Sequence, residues 1–173
     1  MFLNEDFLAA VFEMYSQQPL YLDFGLESDN LNLNPILIRS ESTINSFKQN
    51  SLDEIAALEG SPSFEIISEV VQIIESTGIL PNLTGIGIEI GSGLGLLSAA
   101  VIKNDKKSKI KGIVAIEAVL PFAQSGIRNT SKEILNNQSY KILPCYGSFN
   151  KMEIESGAID FILQIEALHH ADD

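Results

Sequence analysis

Apolar residues near the start of the chain recur at helical spacing. Phe7, Leu8, Val11, Phe12 and Tyr15 share one face of residues 5–17, which predicts an amphipathic helix ending before Pro19. Between Leu20 and Ser40 the periodicity fades, and Asp29-Asn30-Leu31-Asn32-Leu33-Asn34-Pro35 reads as a loop flanked by short extended pieces. Helical signals then return. Ser51-Leu52-Asp53-Glu54 fits a capping box with Gly60 as the stop. Ser61-Pro62 opens a longer helix to about Ser76, with Ile66, Ile67, Val70, Val71 and Ile74 on its apolar face and Gly78 beyond its end. The plain reading of these stripes is core packing. Their functional reading is one wall of a substrate pocket.

The pattern changes near Pro81. Ile86 to Ile90 reads as a short buried strand and Leu94 to Ile102 as a helix. Gly112 to Glu117 is a second strand, Pro121 to Asn136 a helix, and Tyr140 to Tyr146 a third strand, in which Pro144 suggests a sheet edge. Ala158 to Gln164 is a fourth strand. Apolar strands separated by helices predict right-handed crossovers, a parallel sheet and an α/β fold. The chain therefore divides into a mainly helical segment, 1–80, acting as a cap, and an α/β half-domain, 81–173.

Charge follows the same division. The 173 residues carry a formal net charge of −12, and residues 1–80 hold thirteen acids against Arg39 and Lys48. So acidic a chain repels phosphate backbones, which argues against nucleic acid or an anionic membrane as partner. The one basic cluster, Lys103, Lys106, Lys107, Lys109 and Lys111, reads as a solvated connection rather than an anion patch. No apolar run reaches the ~20 residues of a membrane span. Glu5, Asp6 and Glu13 without a nearby base do not fit a secretory or mitochondrial leader. A single cysteine, Cys145, excludes an internal disulfide and suits the cytoplasm.

The chemistry concentrates in Glu89-Ile90-Gly91-Ser92-Gly93-Leu94-Gly95, which leaves a predicted strand and opens a predicted helix. Glycines permit a tight turn and close approach of a ligand to the backbone, and the helix start offers free N–H donors. The bland reading is a tight strand-to-helix turn. Two features go further. The spacing is G-x-G-x-G, with Leu96 where a dinucleotide fingerprint has its third glycine, and Glu117 ends the next strand, where a carboxylate can accept from ribose hydroxyls.

In these residues the chain resembles the class I S-adenosylmethionine-dependent methyltransferases. Glu89, Gly91, Gly93 and Gly95 match that family's first motif, and Glu117 its second. Gly147-Ser148-Phe149 falls where the family often has Gly-Asp and an apolar residue beside the adenine; Ser148 replaces the common Asp, and the resemblance implies that Phe149 packs on the base, its plain reading being ordinary core. Asp160 through His170 is similar to the fourth strand and the segment after it in small-molecule methyltransferases. The resemblance covers roughly residues 81–173. It implies a parallel Rossmann-like sheet, S-adenosylmethionine as cofactor, and a small-molecule methyl acceptor. The implied cofactor residues are Glu89, Gly91, Ser92, Gly93, Gly95, Glu117, Ser148 and Phe149, and Glu166, His169 and His170 are candidate catalytic bases. Glu166 reads alternatively as a contact to the cofactor's methionine part or as a solvent-facing residue, and the two histidines as surface or helix-capping residues. No metal site is expected, since adjacent histidines seldom face one ion.

The family's sheet has seven strands in the order 3-2-1-4-5-7-6. This sequence supplies patterns for 3-2-1-4, with strands 5–7 missing. The expectation is a truncated chain, weakly active alone, whose fourth strand is an apolar edge able to pair with another copy. A partner chain or the N-terminal segment covering that edge are the competing explanations. Two other functions stay open: a nicotinamide-dependent oxidoreductase, which Glu117 suits equally, and a non-enzymatic assembly module pairing through the fourth strand.

Overall fold

The computed structural model describes residues 3–18, 20–25, 37–38, 62–118, 120, 122–148, 153–165 and 167. In chain order they form helix α1 (Glu5–Gln17), strands β1 (Leu22–Gly25) and β2 (Leu37–Ile38), and helix α2 (Pro62–Ser76). Strand β3 (Gly85–Ile90), helix α3 (Leu96–Asn104) and strand β4 (Ile110–Glu117) follow. A π-helical turn (Phe122–Gly126) leads into helix α4 (Ile127–Leu135), a 3-10 turn (Asn136–Lys141), and strands β5 (Ile142–Gly147) and β6 (Phe161–Gln164). The capping box at Ser51 to Glu54 lies outside the described residues. No helix among those described is long and apolar enough to cross a membrane.

The sheet runs β2-β1-β5-β4-β3-β6. Its central part, β5-β4-β3-β6, is the order 3-2-1-4 expected from the sequence, and every pair within it is parallel. The fold is α/β and Rossmann-like. Alternation along each strand buries both faces. Ile113, Ala115, Ile142 and Leu163 face one core with Val71 of α2, Leu97 and Val101 of α3, and Ile127 of α4. Ile86, Ile88, Val114, Ile116, Leu143 and Cys145 face the other with Leu8, Val11 and Tyr15 of α1.

The described parts of the segment before Pro81 pack with this sheet. β1 adds to the sheet parallel to β5 and β2 pairs antiparallel with β1, while Leu3 bridges Ile154 in the connection before β6. Two expectations change. Pro144 predicted an edge strand, but β5 lies inside the sheet. The ladder with β1 covers only Cys145 to Gly147, so the proline sits just before it. The N-terminal strands lie beyond β5, at the opposite end from β6, so they do not cover the β6 edge, where Ile162 is exposed.

Boundaries also shift for physical reasons. α3 begins at Leu96 rather than Leu94, because Gly95 has a left-handed φ of +73°. β6 begins at Phe161, because the turn before it is closed by Ala158 N–H donating to Glu155 O. Asp160 then acts at the start of the sheet: its Oδ2 accepts from Ile86 N–H at 2.7 Å, at the end of β3 remote from the glycine turn.

Gly112 of β4 allows α1 to lie against the sheet, since a Cβ there would enter the ring of Phe12. Gly112→Ala should therefore cost ~1–3 kcal/mol, the usual range for overpacking, read as a lower urea midpoint. An unchanged midpoint would show that α1 does not rest on β4 in this way.

Candidate functional site

Parallel strands bring all their carboxyl ends to one side of the sheet. Chain order runs from β3 outward through β4 and β5, then returns to the other flank of β3 as β6. The switch point between β3 and β6 is where open α/β sheets leave a crevice for ligands. The glycine turn lies there.

Gly91, Gly93 and Gly95 all have positive φ, at +63°, +54° and +73°. This region is strained for residues with a Cβ, so the turn depends on glycine. The turn is also fixed from outside. Ser92 N–H donates to Ile116 O at 2.9 Å and Gly95 N–H to Ser92 O at 2.7 Å. A Cβ on Gly91 would meet the Ala167 methyl, and one on Gly95 would lie 3.1 Å from Ile127 Cγ2. The turn is thereby held between the segment after β6 and the start of α4. A Cβ on Gly93 would meet no atom of the described residues within 4 Å, so space opens beside the turn at its midpoint.

Glu117, at the end of β4, closes this arrangement. Its Oε2 accepts from Gly93 N–H at 2.6 Å, and the residue is largely buried. The predicted acid and the predicted turn therefore meet at one place. Ser92 contributes a buried hydroxyl with no hydrogen-bond partner among the described residues. Ser148 follows β5 at the same side of the sheet and is half-buried. Phe149, Glu166, His169 and His170 lie outside the described residues.

Glu89 sits one residue before the last of β3, 4 % exposed, beneath α3. Its Oε2 accepts twice from Ser98: a short bond from the hydroxyl and one of 3.1 Å from the backbone N–H. Burial pushes the carboxyl from an ordinary 4.5 up to about 7; the Ser98 hydrogen bonds oppose this, and the charge of Glu117 adds to it. Ser98 is absent from the residues the sequence singles out. Its signal was a polar position inside the apolar run Leu96-Leu97-Ser98-Ala99-Ala100-Val101. Ala167 carried no such signal, because its contact with Gly91 is purely tertiary. Nor did the buried hydrogen bond from Gln124 Nε2 to Tyr21 Oη, 2.8 Å, which ties the π-helical turn after β4 to the residue before β1.

The lysine cluster lies at the other end of the sheet. Lys103 and Lys106 to Lys109 are exposed in the last turn of α3 and the connection to β4, Lys109 Nζ donates to Pro81 O, and Lys111 makes an exposed ion pair with Glu5 at 3.5 Å. The solvated-connection reading fits this placement.

No protein-family model matches the chain, and no curated protein matches it. Among solved structures, one similar chain is a Methanococcus maripaludis protein described as a "putative S-adenosyl-L-methionine-dependent methyltransferase". The two share 23% identity with a TM-score of 0.49, over 86% of this chain and 57% of that one. This chain therefore spans a little over half the length of that neighbour.

A carboxyl that titrates near 7 in the fold and near 4.5 when exposed binds more protons folded than unfolded between those values. Its contribution to stability is complete below pH 4.5 and is lost as pH rises through 7. The loss is roughly 3 kcal/mol at ~1.4 kcal/mol per unit. The ligand-free protein should thus melt lower at pH 8 than at pH 5, and Glu89→Gln, neutral throughout, should remove that part of the slope. Identical pH slopes for the two proteins in thermal melts would sink this account.

Proposed function

We propose that the chain binds S-adenosylmethionine across the carboxyl ends of β3, β4 and β6 and serves methyl transfer to a small-molecule acceptor. The carrying observation is the meeting of Glu117 with Gly93 N–H at 2.6 Å, beside open space, on a turn of three left-handed glycines. A carboxylate so placed accepts from the vicinal hydroxyls of a ribose, while a glycine backbone lets the sugar and its substituent lie close.

The residues present fit such a cofactor. Gly93 leaves room that a side chain would fill, and the Ser92 hydroxyl, which has no partner among the described residues, supplies a polar atom. Glu89, Gly91, Ser92, Gly93, Gly95 and Glu117 would form the cofactor side, with Ser148 and Phe149 toward the base. When bound, the cofactor supplies an electrophilic methyl on a sulfonium, which is already a good leaving group. The protein's share is to orient the acceptor in line and to exclude water. Glu166, His169 and His170, which come after β6 in the sequence, are the candidate bases for a hydroxyl or protonated amine in this reading. A cytoplasmic setting suits a chain whose one cysteine, Cys145, is buried and free.

S-adenosylhomocysteine should bind the purified, folded chain in calorimetry. Glu117→Ala should weaken binding by about 1.5–3 kcal/mol, the range for hydrogen bonds to a charged group. No heat at roughly millimolar ligand, where even a ~1 mM dissociation constant would register, would defeat the reading. Transfer of a radiolabelled methyl to one of a panel of small acceptors would test the reaction itself.

A further inference from the structure

The proposed cofactor reading assigns Glu89 to the site but gives no role to the residue that grips it. Ser98 is fully buried in the first turn of α3, in a position otherwise suited to an apolar side chain. Both of its donors, hydroxyl and backbone N–H, converge on Oε2 of Glu89. Helix geometry brings them there. The glycine turn reverses the chain so that the first turn of α3 lies over the end of β3, and Ala99 N–H to Gly95 O, 2.9 Å, sets the helix start. One carboxyl oxygen is thus held by the helix.

The other groups around Glu89 do little to settle its charge. Across the sheet its partners are Ala115 on β4 and Leu163 on β6, both apolar. Glu117, two residues beyond Ala115, faces it with a like charge. On α3 the one basic residue, Lys103, is in the exposed last turn, and Arg128 on α4 acts on Tyr15 of α1. No described cation balances the carboxylate; Ser98 is what favours its ionised form.

We propose that Ser98 is a positioning residue that readies Glu89 to ionise, so that capture of a cationic amino-acid ligand at the glycine turn is coupled to release of one proton from Glu89. This rests on the cofactor reading above, because S-adenosylmethionine and S-adenosylhomocysteine both carry an ammonium group. The coupling has a simple balance. The carboxyl O–H breaks, the proton goes to buffer, and the carboxylate left behind is stabilised by the ligand's positive charge and by two Ser98 hydrogen bonds. It also gives the site a preference for zwitterionic adenosyl ligands over adenosine, which has no cation to offset the buried charge.

The test joins a ligand-free and a ligand-bound measurement. In the free protein, carbon-13 NMR of labelled glutamate carboxyls should show one group titrating near pH 7. That group should vanish in Glu89→Gln, move up by about one pH unit in Ser98→Ala, where one of two hydrogen bonds to the charged form is lost, and return toward its original place in Ser98→Thr. Calorimetry with S-adenosylhomocysteine at pH 7, in buffers of different ionisation enthalpy, should show about half a proton released per ligand, since the group is half protonated there. Release should be absent in Glu89→Gln and for adenosine.

An unmoved titration in folded Ser98→Ala overturns the role of Ser98. Binding of S-adenosylhomocysteine with buffer-independent heat overturns the coupling while leaving the cofactor reading intact. No binding at all, with the NMR titration as expected, overturns the cofactor reading and the coupling with it.

Discussion

The five residues from Gly91 to Gly95 form the constraint on which the rest of the site depends. Three left-handed glycines turn β3 into α3 within a single short loop. That reversal lays Ser98 over Glu89 and puts Gly93 N–H against Glu117. Contacts with Ala167 and Ile127 then fix the turn between two other elements, so a Cβ at Gly91 or Gly95 would disturb packing as well as local backbone geometry. Turn and core share these contacts, so the backbone of the turn is set by packing as well as by its own hydrogen bonds.

The two sides of the sheet have different origins. One face is covered by helices that the crossovers themselves supply, α3 and α4, joined by α2. The other is covered by α1, from the beginning of the chain, whose Leu8 and Val11 reach β3, β4 and β5. Parallel strands need cover on both faces. The first helix is therefore part of the fold's hydrophobic economy, and β1 extends the same sheet beside β5. Through Tyr21 and Gln124 this added edge is also tied to the turn that follows Glu117.

Glu89 and Glu117 show how a stable core accommodates a costly feature. Two carboxyls lie at the ends of neighbouring strands, and both are largely buried. Glu117 obtains a backbone N–H; Glu89 obtains Ser98 and stays partly protonated near neutrality. A site that served only the fold would gain from apolar residues at these places. Their presence is the physical reason for the cofactor reading proposed above, and the raised titration of Glu89 is of the kind that concentrates at functional positions.

Much of this was legible in the sequence, because it rests on local chemistry. Periodicity gave α1, α2 and the parallel strands. Glycine spacing marked the turn, and the acid ending the next strand marked Glu117, since strand alternation and parallel order fix where a strand's last residue goes. Other features had no local signature. The short segments Leu22–Gly25 and Leu37–Ile38 carry weak strand patterns and join the sheet only because β5 offers an edge there. Pro144 reads as an edge residue until the extent of the β1 ladder is known. Asp160, similar to a family motif, is placed by pairing register at the far end of β3. Ser98 becomes a partner of Glu89, nine positions earlier in sequence, only once the glycine turn has folded the helix back. The sequence by itself determined the elements and the chemistry at their ends, because those follow from neighbours along the chain. Edge order, the cover on the second face and the partner of the buried carboxyl were decided by tertiary structure, because each depends on contacts between segments far apart in the chain.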